Sequence, residues 1–368
     1  MSLRIETGNF NDFFEAPFNA YGPKSPFVSP LRSDLQRFVS ADENPLFSEP
    51  GEISIFTALR DNRPIGRITA HVHTASNKMH GLRRAYFGYF DCAEDKEAAE
   101  ALLNAAESWA RERNLEELAG NFNLTAMQQI GVVTDGFEKP PYTDQVWNPP
   151  HIPRFLKEFG YSAEFPMTTF EVDLKNEAPV IGPKQQAVLD DPDFQFAKIS
   201  RWNLKERMEQ ARFLLNSAFA ENPMFVPVSA EEYDFQAKDM VWIIDPRISA
   251  LLTYRGEPVA TILCVPDLNP FLQRIRSRPG LAMPWHFLRH RFTNRRAILI
   301  YAAVRADMHG KGINPVVLRQ VILSMKAAGY QTLGNTWIAD VNPASLAQTE
   351  KAGGHQLHRT HLFRKMLQ

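Results

Sequence analysis

Two stretches of alternating apolar and polar residues carry turns 194 positions apart. Residues 53–72 read ISIFTALRDNRPIGRITAHV and residues 248–265 read ISALLTYRGEPVATILCV. Each predicts a β-hairpin, with turns at Asp-Asn-Arg-Pro and Arg-Gly-Glu-Pro. The offset recurs. Pro64 and Pro258, Asn148-Pro149 and Asn342-Pro343, and Gly160 and Gly354 are all 194 apart. In each half an apolar run, Ala85–Phe90 or Ala297–Val304, lacks alternation, as expected of a strand covered on both faces. An amphipathic helix follows each run. Lys96–Arg113 turns Ala98, Leu102, Ala105, Ala106 and Trp109 inward. The helix opening at Pro315 does so with Val317, Leu318, Val321, Ile322 and Met325, and Gly329 fits its C-terminal cap. Each half closes on a helix-like segment and a strand, Thr168–Leu174 or His358–Met366. The pattern predicts an α/β (α+β) protein in which one fold occurs twice, at 1–178 and 196–368, joined by a linker at 179–195.

The two strand-to-helix loops differ. The second reads His309-Gly-Lys-Gly-Ile-Asn314. Glycines let the backbone turn and expose its N–H groups, and a helix N-terminus adds partial positive charge. With Asn314 as N-cap and Pro315 as first helical residue, the loop predicts a phosphate or pyrophosphate site, or an ordinary turn. The first loop, Asp91-Cys-Ala-Glu-Asp95, has no glycine and three carboxylates. It would repel the anion that the second attracts.

VRADMHGKGINPVVL resembles the acyl-CoA pyrophosphate loop of the GNAT family, the Gcn5-related N-acyltransferases. That family's pattern is Gln/Arg-x-x-Gly-x-Gly/Ala. His309 stands at the Gln/Arg position, Gly312 at the central glycine and Asn314 at the final small residue. A second family element, Asn-x-x-Ala-x-x-x-Tyr-Glu-Lys-x-Gly-Phe, is matched by Asn342, Glu350, Lys351 and Gly353. Thr349 replaces its tyrosine and Gly354 its phenylalanine. The resemblance implies a tandem GNAT pair, each copy a mixed central sheet flanked by helices, with a degenerate N-terminal copy. It also implies an acyl-CoA co-substrate, acetyl-CoA by default, and transfer of the acyl group to the amine of a small or lipid-like acceptor. Ala303, Val304, His309, Gly310, Lys311, Gly312, Ile313, Asn314 and Asn342 would hold the cofactor. Ala303 or Val304 would supply the oxyanion N–H. Asp340 could serve as base or only cap the helix at Pro343. Tyr301 could serve as acid or anchor, or be core. Two other readings stay open: an acyl-CoA-binding sensor without turnover, and a Fem-type aminoacyl transferase, which also has tandem GNAT domains.

Charge and composition narrow the partners. The 368 residues carry a net charge of −1, so no global field favours DNA or an anionic membrane. No apolar run is long enough to span a bilayer, and the N-terminus lacks a signal pattern. Two cysteines without metal spacing fit free thiols in the cytoplasm. His71 and His73, His286 and His290, and His355, His358 and His361 lack metal-ligand spacing, so no metal is expected. Arg274–Arg296 holds seven arginines and no carboxylate. It could bind the cofactor's 3′-phosphate, an acidic acceptor, a membrane surface or RNA, or simply face water. The segment from Asp135 to Pro150, rich in proline and aromatic residues, could wall a pocket or form a rigid surface loop.

Overall fold

The computed structural model describes residues 2–49, 51–125, 128–218, 226–237 and 243–367. The chain forms two compact units: residues 1–168, 269–288 and 357–368, and residues 169–268 and 289–356. Both are mixed α/β structures, and the second half of the chain repeats the element order of the first with one helix added.

In the first half the order is β1 (Leu3–Thr7), α1 (Phe10–Tyr21), α2 (Arg32–Phe38), β2 (Ile53–Arg60), β3 (Arg63–His71), α3 (Thr74–His80), β4 (Arg84–Cys92), α4 (Lys96–Arg111), β5 (Glu117–Gly120), β6 (Val132–Asp135), α5 (His151–Glu158) and β7 (Ser162–Asp173). After α6 (Pro183–Asp190) the same order returns. It runs β8 (Phe194–Phe196), α7 (Leu204–Ala218), α8 (Ala230–Ala237), β9 (Ala250–Tyr254), β10 (Glu257–Pro266), α9 (Asn269–Ile275), α10 (Met283–Thr293), β11 (Arg296–Val304), α11 (Ile313–Ala327), β12 (Thr332–Asn335), β13 (Ile338–Ala339), α12 (Pro343–Lys351) and β14 (Gly354–Met366). The α9–α10 pair stands where the first half has only α3.

Local chemistry explains the recurrence. Both hairpins close on two residues with positive φ, Asp61 and Asn62 at 52° and 65°, Arg255 and Gly256 at 52° and 87°. That is the type I′ geometry whose twist matches the flanking strands. Helix α4 starts on Asp95, whose side chain accepts from Ala98 N. Helix α11 ends before Gly329, at φ 87°, as expected of a left-handed C-terminal cap. Residues 332–339 form two short strands, β12 and β13, and not one continuous strand.

The last strand of each half does not stay with its own sheet. In the first unit the order is β1-β2-β3-β4-β5-β14, with β4 and β5 parallel and β14 antiparallel to β5. Phe363 of β14 is fully buried in the same core as Phe87, Leu102 and Leu118. In the second unit the order is β7-β12-β11-β10-β9-β8, and β7 pairs antiparallel to β12 through Thr332↔Asp173. Val172 and Leu174 join Val317, Val321 and Leu333 in its core. Each unit is thus completed by the terminal strand of the other repeat.

His71, at the end of β3, is buried between Phe47 and Tyr86, 6.4 and 5.7 Å away by ring centroids. Burial, then the neighbouring His73, lowers its pKa to about 3. The unfolded imidazole titrates near 6.5, so between pH of about 6.5 and 3 the unfolded chain binds a proton that the folded chain refuses. Stability should therefore fall as pH drops through that window, by up to about 1.4 kcal/mol per pH unit from this residue. Urea unfolding of His71→Phe across pH 4–7 should show a flatter curve than the wild type. An unchanged slope would exclude His71 as its source.

Candidate functional site

The site builds outward from β11. Its register with parallel β12 runs from Arg296↔Thr332 to Leu299↔Asn335 and then ends. Thr336 takes the next two carbonyls, donating from N to Leu299 O at 3.1 Å and from Oγ1 to Ile300 O at 3.2 Å. From Tyr301 to Val304 the strand pairs, among the described residues, with β10 alone, past a bulge opposite Leu263 and Cys264. Arg305 N donates to Val259 O, so by the alternation of an antiparallel ladder Ala303 directs its N–H to β10 and Val304 directs its own away. Of the two oxyanion-donor candidates, Val304 has the geometry to face a ligand in the splay.

The first repeat has the same frame and fills it. Strand β4 also bulges, opposite Arg67 to Thr69, and Ala93 N donates to Ile65 O as Arg305 N does to Val259 O. Here, however, Tyr89 N donates to Asn123 Oδ1 at 2.7 Å and Phe90 N to Asn121 Oδ1 at 3.2 Å. The Cys92 N–H, at the position matching Val304, donates to the Tyr21 hydroxyl. Thr336 and Ile338 occupy the places of Asn121 and Asn123, and Ile338 has no amide to offer. The register pair Arg67↔Asp91 is replaced by Thr261↔Ala303.

The loops diverge in the same sense. Helix α11 is capped by Gly312 at φ 79°, and no side chain among the described residues caps its N-terminus. This corrects the expectation that Asn314 caps and Pro315 opens the helix: the helix begins at Ile313. Glycine reaches the left-handed conformation without strain, and the Asn314 side chain is committed elsewhere, donating to Gln348 Oε1 at 2.8 Å. The N–H groups of Gly312, Ile313 and Asn314 lack intrahelical partners, and Pro315 has none to satisfy. Met308 and Ile313 are buried on either side of the exposed turn and anchor it. Gly310, at φ 73°, has open space around it. In the first repeat Asp95 fills the equivalent helix end. All three of that loop's carboxylates are neutralised from within: Asp91 by Arg67, Glu94 by Arg154 and Asp95 by Arg60, each at 2.7–2.8 Å.

The remaining candidates fall around the second loop with different degrees of commitment. His309 Nε2 lies 2.9 Å from Val304 O, so its ring folds back over the strand end. Exposed Lys311 approaches Met308 Sδ at 3.3 Å. Parallel β11 and β12 end on the same edge of the sheet, which brings Asp340 and Asn342 to the side of the loop. Asp340 is exposed. Asn342, not Asp340, caps α12, its Oδ1 accepting from Ser345 N. The Thr349 hydroxyl donates to Ser345 O at 3.0 Å within its own helix. Tyr301 is partly buried on the splayed strand.

Two residues escaped the sequence reading because they lie in the expected linker. Gln185 Nε2 and Lys184 Cγ stand 3.1 and 3.4 Å from where a Cβ on Gly312 would sit. Gly182-Pro183, an ordinary helix opening, was the available signal for α6. The loop from Asp135 to Pro150 does wall a cavity, within the first unit, through Pro141, Gln145, Trp147 and Asn148. Among the described residues no group of three or more His, Cys, Asp or Glu could hold a metal. Cys92 and Cys264 are buried free thiols whose pKa values burial pushes up. No helix among the described residues is long and apolar enough to cross a membrane.

No family model matches this chain. A bacterial ceramide synthase of Caulobacter vibrioides (strain NA1000 / CB15N) is 23% identical over 364 residues, 96% of this chain and 93% of that protein. The protein YghO of Escherichia coli (strain K12) is 22% identical over 377 residues, 98% and 94% of the two. Among solved structures, a tandem GNAT protein from the clavulanic acid biosynthesis pathway superposes with a TM-score of 0.58 at 12% identity, covering 100% of this chain and 99% of its own. A GCN5-related N-acetyltransferase from Sphaerobacter thermophilus gives 0.56 at 13% identity, covering 100% and 96%.

Proposed function

The chain has the tandem GNAT fold, and from that premise we propose that it is an acyl-CoA-dependent N-acyltransferase with one cofactor site, in the repeat spanning 196–368. Residues 1–178 form the degenerate repeat, and 179–195 join the two. The carrying observation is the contrast between the helix ends: Gly312 offers no side-chain cap, whereas the Asp95 side chain caps the equivalent end at Ala98 N. The pyrophosphate would lie on Gly310–Asn314, with Lys184 and Gln185 beside it. The thioester carbonyl would point at Val304 N–H.

The chemistry follows from that placement. A neutral amine attacks the thioester carbonyl. The oxygen gains charge against the Val304 N–H, the C–N bond forms and the C–S bond breaks. The amine loses a proton to Asp340 or to water, and the leaving thiolate gains one from Tyr301 or solvent. Thr349 is an unsuitable donor, since its hydroxyl is engaged with Ser345.

The near full-length likeness to a ceramide synthase supports a lipid-like acceptor, a long-chain amino alcohol, and a long-chain acyl donor in preference to acetyl. A second reading, an acyl-CoA sensor without turnover, is favoured by the engaged Thr349 hydroxyl alone. Thiol release should be followed with acetyl-CoA and palmitoyl-CoA against sphinganine and a polyamine. Release with palmitoyl-CoA and sphinganine is the expected result. Thermal stabilisation by acyl-CoA without release for any amine would leave the sensor.

A further inference from the structure

Leu281, two residues before α10, and Trp285, Leu288 and Phe292 on it recur at spacings of four, three and four, and all four are exposed, at 105%, 67%, 47% and 69%. On a helix that spacing makes one stripe, which a helix of a soluble domain ordinarily turns to its core. Helix α10 turns other residues inward instead. Phe287 packs edge-on against Phe271 at 5.5 Å, and His290 is buried. The apolar stripe is left in water.

The charges around it have one sign. From Leu268 to Ala306 the chain has no Asp or Glu. Arg278, Arg296 and Arg305 are paired, to Glu15, Asp267 and Asp307. Arg289, Arg291 and Arg295 are exposed and form no ion pair among the described residues. An apolar stripe bordered by unpaired arginines, on a chain with net charge −1, is a local feature and not part of a general basic field. We propose that α10 docks the protein on an anionic lipid surface. Trp285, Leu288 and Phe292 enter the headgroup boundary and the arginines meet lipid phosphates. A nucleic-acid backbone would use the arginines and stack on the aromatic rings, but would leave Leu281 and Leu288 in water. The bilayer satisfies all four positions. The proposal does not depend on acyl transfer, and its test contains no acyl-CoA.

The test is co-sedimentation of the full chain with phosphatidylcholine vesicles, with and without phosphatidylglycerol. Binding should require the anionic lipid and weaken with salt. Arg289→Ala and Arg291→Ala should each weaken it about fivefold, and Trp285→Glu with Leu288→Glu about tenfold or more. Because these side chains are exposed, each variant should keep the wild-type thermal midpoint. Absence of binding to anionic vesicles, equal binding to neutral ones, undiminished binding of the Trp285→Glu/Leu288→Glu variant, or binding to a single-stranded RNA but not to vesicles would each overturn the proposal.

Discussion

Replacing Gly312 with Asp should weaken acyl-CoA binding by at least about 100-fold, the loss of two hydrogen bonds to a charged group at about 1.5–3 kcal/mol each. The substitution would act in three ways. Gly312 holds φ 79°, where a side chain costs about 1–2 kcal/mol. An added Cβ would crowd Gln185 Nε2, at 3.1 Å. The new carboxylate would cap the helix as Asp95 does in the first repeat and would oppose a pyrophosphate. Gly312→Ala separates these effects, because it introduces the strain and the crowding without the charge. It should lower stability by a similar amount yet retain measurable binding. Calorimetric titration of both variants decides the matter, and wild-type affinity in Gly312→Asp would sink the loop assignment.

Replacing Arg67 with Met should destabilise the protein by about 3–5 kcal/mol, because it strands a buried carboxylate. Arg67 is 1% exposed, with Nε and Nη2 both 2.8 Å from Asp91 Oδ2. Its guanidinium also lies 4.9 Å from the Phe13 ring and 5.5 Å from that of Tyr89. Tyr21 donates to the other oxygen of Asp91. The second repeat shows how the fold manages without the pair, with Thr261 opposite Ala303 in the same register. Arg67→Thr combined with Asp91→Ala should therefore be less destabilised than the sum of the single variants, though a cavity cost would persist. Urea unfolding of the four proteins tests this. Additive losses would show that Asp91 does not depend on Arg67.

Much of this architecture was legible because it is local. The hairpin turns at Asp61-Asn62 and Arg255-Gly256, the apolar strand before Gly312 and the amphipathic face of α11 each announce themselves within a dozen residues. The 194-residue offset then identified the repeat. What was not legible depends on partners far along the chain. The apolar pattern of β7 and β14 is the same whichever sheet they complete, so the exchange of terminal strands leaves no local mark. Asp91, Glu94 and Asp95 read as a repulsive cluster. Arg67, Arg154 and Arg60, which neutralise them, lie 24, 60 and 35 positions away. Asn121 and Asn123 gave no hint that their side chains close the first splay. At the cap, the good propensity of Asn314 lost to a left-handed glycine two residues earlier, because Gln348 already holds its amide. Lys184 and Gln185 were passed over because a stretch with three prolines in seventeen residues reads as a connection.

Under the proposed function one repeat is open to acyl-CoA and the other is closed by its own side chains. Calorimetric titration of the wild-type chain with palmitoyl-CoA below its micellar concentration counts the open sites. One site per chain is expected, abolished by Gly312→Asp and retained when Asp95 is replaced by Asn. Two sites per chain, or one site that survives Gly312→Asp, would contradict it.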